Sequence, residues 1–223
     1  MKILAIIILH TLLSQVTAAS LTEQLQEKRS SSKAPAEVKK IMSDAQKSLK
    51  ESGIEKNAIN IGSKIPEFKI ENKSISDFLR DSPIVLKFYR GSWCPYCQIE
   101  LKEYNKYKTK IEDKGYKLII LTPDTNKEIR KFKAKNNIEL DIYQDKDNSI
   151  AKKFGIAFKL DKNLKPIYKK FGIDLEAAQE NKEDTLPLPG TYIINKEGKI
   201  TYAFIDVDYT KRLDPEILMK NLK

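Results

Sequence analysis

Cys94 and Cys97 are the two cysteines of this 223-residue chain, and they stand three apart in Phe88-Tyr89-Arg90-Gly91-Ser92-Trp93-Cys94-Pro95-Tyr96-Cys97. An apolar run hands over to a helical pattern here. Cys94 falls at or just before the first helical turn, and Pro95 takes a position whose missing N–H costs nothing. Unpaired N–H groups and the positive end of the helix dipole favour a thiolate over a thiol. Cys94 is therefore expected to be acidic and exposed, a nucleophile, while Cys97, one turn on, lies within reach to close a disulfide with it. Three plainer roles compete. A structural disulfide across so short a loop stabilises little; zinc needs about four ligands; two buried cysteines acting as small hydrophobes would be inert. The spacing favours a redox-active pair.

The remaining composition removes other chemistries. His10 is the single histidine, so no Ser-His-Asp triad, Cys-His pair or histidine metal site is expected, and no cofactor or metal is called for. With 40% apolar and 32% charged residues the chain reads as globular. The net charge of +10 comes from 41 Lys and Arg against 31 Asp and Glu. These charges are interspersed, which makes a solvated basic surface and not a nucleic-acid stripe. Asp145 and Asp147 suit a turn better than a cation site.

The N-terminus reads as an export signal over residues 1–19. Lys2 precedes an apolar run from Ile3 to Leu13, and small residues close the segment, with cleavage expected after Ala18 or Ala19. The apolar run is shorter than a membrane-spanning helix requires. Cleavage would remove His10 as well as Lys2, and would place the protein in a periplasmic or secreted setting without stable membrane insertion.

Residues 20–60 form a helical arm. Leu21 to Arg29 and Pro35 to Ser52 are helical, with Val38, Ile41, Met42, Ala45 and Leu49 on one face of the second, expected to pack on the main domain or on a second copy as a homodimer. Residues 61–223 then alternate strand and helix. Ile84 to Tyr89 and Tyr116 to Thr122 are near-continuous apolar runs that suit buried parallel strands. A helix from Cys97 to Ile111 joins them; Asn126 to Asn136 is helical and Ile138 to Tyr143 a strand. Thr191 to Asn195 and Lys199 to Asp206 make a hairpin, and Asp214 caps a final helix that Pro215 begins. The pattern is α/β, a mixed sheet flanked by helices with an N-terminal helical extension.

Three segments, FYRGSWCPYC, LPLPGTYIIN and DVDYTKRLDP, together resemble the peroxiredoxin-like branch of the alkyl hydroperoxide reductase and thiol-specific antioxidant family. The resemblance runs from about Ile54 to the C-terminus and implies a thioredoxin-like fold, with Cys94 and Cys97 as its redox-active disulfide pair. It implies that Leu188-Pro189 is the cis peptide beside the active site. The arginine that the family keeps next to the following strand is missing, since Leu188-Pro189-Gly190 occupy its place, and Arg90 is expected to supply positive charge to the thiolate from the other side. Gly91, Trp93 and Thr191 flank these positions as supporting residues. Against the typical motif, Phe88 matches its Phe, Cys97 the peroxide-attacking cysteine, and Cys94 its Thr, while Arg90 takes the Pro position. The motif would make the protein an antioxidant peroxidase for hydrogen peroxide or organic hydroperoxides, re-reduced by a thioredoxin-like thiol donor. The C-P-Y-C spacing also suits exchange with protein disulfides, and a redox-silent binding protein is the non-enzymatic alternative. Asp206, Asp208, Tyr209 and Arg212 form a further polar signature with no assigned role.

Overall fold

The computed structural model describes residues 19–223, so the export signal lies outside the described residues but for Ala19. Helix α1 (Leu21–Ser30) begins with a capping box in which Ser20 and Glu23 bond reciprocally. Helices α2 (Ala36–Glu51) and α3 (Ile54–Asn57) complete the arm. The short hairpin β1 (Lys69–Ile70) and β2 (Lys73–Ser74) and helix α4 (Ile75–Asp81) follow, then strand β3 (Ile84–Phe88), helix α5 (Pro95–Asp113), strand β4 (Lys117–Thr122), helix α6 (Asn126–Asn136) and strand β5 (Asp141–Gln144). A segment of short elements comes next: α7 (Ser149–Lys153), β6 (Ala157–Lys159), α8 (Leu164–Lys170), α9 (Leu175–Gln179) and β7 (Thr185–Pro187). Strands β8 (Gly190–Ile194) and β9 (Ile200–Ile205) and helix α10 (Pro215–Asn221) close the chain.

The main sheet has the order β5-β4-β3-β8-β9. Strands β3, β4 and β5 run parallel, β8 runs antiparallel to β3 and β9 antiparallel to β8, so the mixed sheet flanked by helices is the one the sequence pattern called for. Strand β3 is central and every residue of it is buried, which is why its sequence is an unbroken apolar run except for Lys87. Its register against β8 sets Lys87 opposite Thr191 and Phe88 opposite Gly190.

The arm packs on the body of the protein. Leu21 and Leu25 are buried in the core shared by α5 and the sheet, and Gln24 donates to Glu103 of α5 at 3.1 Å. Helix α2 buries no residue completely. Its apolar face, Val38, Ile41, Met42 and Ala45, rests on a cluster from the segment between β5 and β8 that includes Leu160, Leu164 and Tyr168. Asp145 sits in a turn, accepting from the backbone of Ile150 and Ala151 at the start of α7, so it caps a helix.

Candidate active site

The cysteines lie where β3 leads into α5. Cys94 is the N-cap residue and Pro95 the first helical residue, as the sequence predicts. The expected exposure fails: Cys94 is 1% exposed and Cys97 0%. The arm and the aromatic residues around Cys94 cover a position that a bare strand-to-helix turn would leave open. Both are free thiols. Cys94 lines a cavity of about 690 Å³, with Arg90, Trp93, Tyr96, Tyr168 and Tyr209 in its wall and residues 31–35 of the arm closing one side. Cys97 faces the protein interior and lines none of the cavities described here.

Their electrostatic surroundings differ. Burial pushes the Cys94 thiol up, but the Cys97 hydrogen bond and the guanidinium groups of Arg90 and Arg212 outweigh it and bring it down to about 6. Burial, followed by the hydrogen bond and charge of Cys94, holds Cys97 well above the usual thiol range, and Arg212 acts in the opposite sense. These surroundings favour the thiolate at Cys94 and the protonated thiol at Cys97.

Arg90 is 4% exposed. Its Nη2 donates to the Tyr168 hydroxyl, and its guanidinium lies 4.6 Å from the Tyr209 ring and 5.2 Å from that of Trp93. Its Nε has no partner, and no carboxylate of the described residues pairs with it. A buried cation compensated by aromatic faces and a thiolate is suited to an oxygen that gains negative charge beside Cys94.

Arg212, from the loop before α10, is the second cation; the sequence offers it only as a member of the terminal polar signature, without a role. Its Nη2 donates to Cys97 Sγ at 3.3 Å and its Nε to Glu100 Oε2 at 2.7 Å. Glu100 in turn accepts from Lys87 Nζ at 2.8 Å, and Lys87 donates to Thr191 Oγ1 at 2.6 Å. Thr191 thus supports the site through a buried chain of polar groups, not by touching a cysteine. The rest of the terminal signature has distinct tasks: Tyr209 covers Arg90, Asp208 pairs with Arg29 of α1 at 3.1 Å, and Asp206 pairs with Lys211 at 3.0 Å.

Behind the cysteines, Ser92 donates from both N and Oγ to Asp124 Oδ2 at 2.6 Å. Burial raises the Asp124 carboxyl to about 6 against the lowering effect of these bonds. Gly91, at φ +151, passes between Trp93 Nε1 and Asp124 Oδ1 with no room for a side chain.

Pro189 departs from expectation. The Leu188–Pro189 peptide is trans, as are all described peptide bonds. Pro187 lies in β7, paired with Ala157, and Leu188 N donates to Ile156 O at 2.8 Å, so the chain enters β8 along an extended path that accepts the favoured isomer. Pro189 lines a second, apolar groove together with Arg90, Met42, Leu164, Tyr168 and Tyr209, and Cys94 is not among its lining residues.

Comparison with known proteins places these features. The sequence profile described as the AhpC/TSA family matches residues 61–203. The chain is 23% identical over 154 residues to the putative peroxiredoxin bcp of Helicobacter pylori, covering 67% of this chain and 90% of that protein. It is 26% identical over 168 residues to the thiol-disulfide oxidoreductase ResA of Bacillus cereus, covering 73% and 79%. The peroxidoxin BcpB structure from Mycobacterium tuberculosis shares its fold, with a TM-score of 0.56 at 16% identity over 74% of this chain and 96% of that one.

Proposed function

Because the chain belongs to the AhpC/TSA family, we propose that it is a thiol-dependent peroxidase in which Cys94 attacks peroxide and Cys97 resolves. The observation that carries this reading is the acidified Cys94 beside a buried, carboxylate-free Arg90 at one cavity. The Cys94 thiolate attacks the terminal peroxide oxygen; an S–O bond forms, the O–O bond breaks, and the proton given up by the thiol ends on the leaving alkoxide or hydroxide. Arg90 stabilises that departing negative charge. The Cys97 thiolate then attacks Cys94 sulfur, the S–O bond breaks, water leaves and a disulfide remains. The two electrons come from the two thiols, and an external dithiol of the thioredoxin type restores both by exchange.

A second reading, exchange with protein disulfides, is favoured by the thioredoxin-like order of an N-cap nucleophile and a buried partner three residues on. A thiol 1% exposed at a walled cavity admits a small peroxide more readily than a folded disulfide partner. Stopped-flow consumption of hydrogen peroxide and of an alkyl hydroperoxide decides between them. Consumption far above that of a free thiol at equal pH, lost in Cys94→Ser and leaving a trapped sulfenic acid on Cys94 in Cys97→Ser, is expected. Consumption no faster than a free thiol, with rapid reduction of a protein disulfide, would establish the exchanger.

The Lys2-to-Ala19 pattern supports export of the protein. N-terminal sequencing of the chain from producing cells is expected to begin at Ala19 or Ser20; protein that retains Met1 throughout would overturn this.

A further inference from the structure

Lys87 is an ion in the wrong place for a strand. It lies in the central, fully buried β3, and its side chain is 0% exposed. Its surroundings nevertheless suit an ammonium: Glu100 Oε1 at 2.8 Å, Thr191 Oγ1 at 2.6 Å and the face of the Tyr104 ring at 3.9 Å are three acceptors for its three N–H bonds. Burial draws its proton affinity down and the Glu100 carboxylate holds it up.

The consequence lies one residue further, at Arg212. The Nε and Nη2 edge of an arginine normally grips one carboxylate with two parallel bonds. In this site the edge is divided: Nε goes to Glu100 Oε2 and Nη2 to Cys97 Sγ. Nη1 is committed to the backbone carbonyls of Tyr209 and Lys211. The carboxylate oxygen that would complete the two-point grip, Oε1, is held by Lys87.

We propose that Lys87 is a positioning residue for the resolving step: by holding Glu100 Oε1 it leaves one Arg212 donor free for Cys97 and balances the Glu100 charge beside that thiol. This rests on the resolving role given to Cys97 above. Without Lys87, Glu100 draws both Arg212 donors, and the remaining pair is neutral, so the Cys97 thiolate loses its support. With Lys87 the three side chains leave one positive charge near Cys97. The other charged or titratable groups near the thiol are the Arg90 guanidinium, a further cation, and Cys94, Tyr89 and Asp124, which carry negative charge when ionised.

The test follows Cys97 without peroxide. Dithiodipyridine oxidises the reduced protein in two steps. The Cys94 thiolate first takes one half of the reagent and releases one thiopyridone. Cys97 thiolate then attacks Cys94 sulfur, the mixed S–S bond breaks, and a second thiopyridone leaves as the Cys94–Cys97 disulfide forms; the Cys97 proton goes to solvent. In Lys87→Met the second release is expected to slow about tenfold at neutral pH with its pH midpoint raised by about one unit, while the first release keeps its rate. Glu100→Gln is expected to speed the second release, and Lys87→Met/Glu100→Gln to recover at least the wild-type rate. An unchanged second release in Lys87→Met would overturn the proposal, as would a double variant slowed as much as the single one. If Lys87→Met does not fold, an unchanged second release in Glu100→Gln overturns it. Failure of the peroxidase reading shows separately, in peroxide consumption, and leaves both release phases measurable.

Discussion

Arg212 Nη2 lies 3.3 Å from Cys97 Sγ across 115 positions of sequence. The contact joins the start of α5 to the loop before the last helix, and it makes the C-terminal segment part of the redox site. Leu213 carries the same link, its carbonyl accepting from Tyr104 of α5 at 2.9 Å. Replacing Arg212 with Leu strands Glu100 with Lys87 alone and removes the donor to Cys97. Breaking a buried charge cluster in this way costs about 3–5 kcal/mol, so thermal unfolding of Arg212→Leu is expected at a clearly lower temperature. An unfolding temperature equal to that of the wild type would show that the cluster contributes nothing to the fold.

Arg90 is expected to behave in the opposite way. It has no carboxylate partner, so Arg90→Met strands no buried acid and exchanges a desolvated cation for an apolar side chain of similar length. Stability is expected to change by less than about 1 kcal/mol, whereas Cys94 loses the cation that lowers its proton affinity more. Peroxide consumption is expected to fall more than tenfold and the pH midpoint of Cys94 alkylation to rise by at least about one unit. Comparing alkylation profiles between pH 5 and 9 with unfolding curves separates the two effects. A profile that does not move would remove Arg90 from the chemistry.

The sequence made the cysteine pair, its helix start and Arg90 legible because these signals are local: a spacing, a proline, a strand-to-helix switch. The strands were legible for the same reason, as continuous apolar runs. The segment between β5 and β8 was not, since α7, β6, α8, α9 and β7 are seven residues or fewer and too short to establish a period. Tyr168 was lost with it, although Leu164, Ile167 and Tyr168 keep helical spacing. Lys87, a charge inside an apolar strand, and Glu100, one turn after Cys97, were not singled out, because a lone charge in a run or on a helix reads as solvated until its burial is known. Arg212 was legible only as a member of the terminal polar signature and Asp124 not at all, since both reach the site through tertiary packing.

The low proton affinity of Cys94 has a linked effect on stability. A thiol lowered from 9.0 to about 6 in the folded state stabilises the reduced protein fully above the unfolded value and loses that contribution as pH falls through 6. The stability difference between the reduced wild type and Cys94→Ser is therefore expected to grow from pH 6 to pH 9 and to be flat below 6. Urea titrations under reducing conditions at four or five pH values measure it. A difference constant over that range would show that the folded protein leaves Cys94 with an ordinary thiol pKa.

Gly91 is required by contact and not by chain freedom alone. A Cβ at this position would meet Trp93 Nε1 at 2.2 Å and Asp124 Oδ1 at 2.8 Å, and Trp93 also lines the cavity that Cys94 lines. Gly91→Ala is expected to displace Trp93 into the cavity in front of Cys94. Trp93 is the single tryptophan of the chain, so the emission spectrum reports this directly. A shifted emission maximum with peroxide consumption reduced at least tenfold is expected; an unchanged spectrum would show that the loop adjusts around the methyl group.

Asp124 gives a pH response of opposite sign to that of Cys94. Its carboxyl is raised from 3.8 to about 6 by burial, so the folded state holds the proton more tightly than the unfolded chain does. Stability is then favoured below about 4 and lost progressively as pH rises through 6. Asparagine keeps an oxygen to accept from Ser92 N and Oγ but cannot ionise. Asp124→Asn is therefore expected to match the wild type near pH 4 and to exceed its stability at pH 8. The Ser92 bonds continue to hold the loop that carries Trp93 and Cys94, so peroxide consumption at pH 8 is expected to stay within about threefold of the wild type. A variant less stable than the wild type at pH 8 would mean that the charged carboxylate, through its two Ser92 bonds, holds this loop more firmly than burial opposes it.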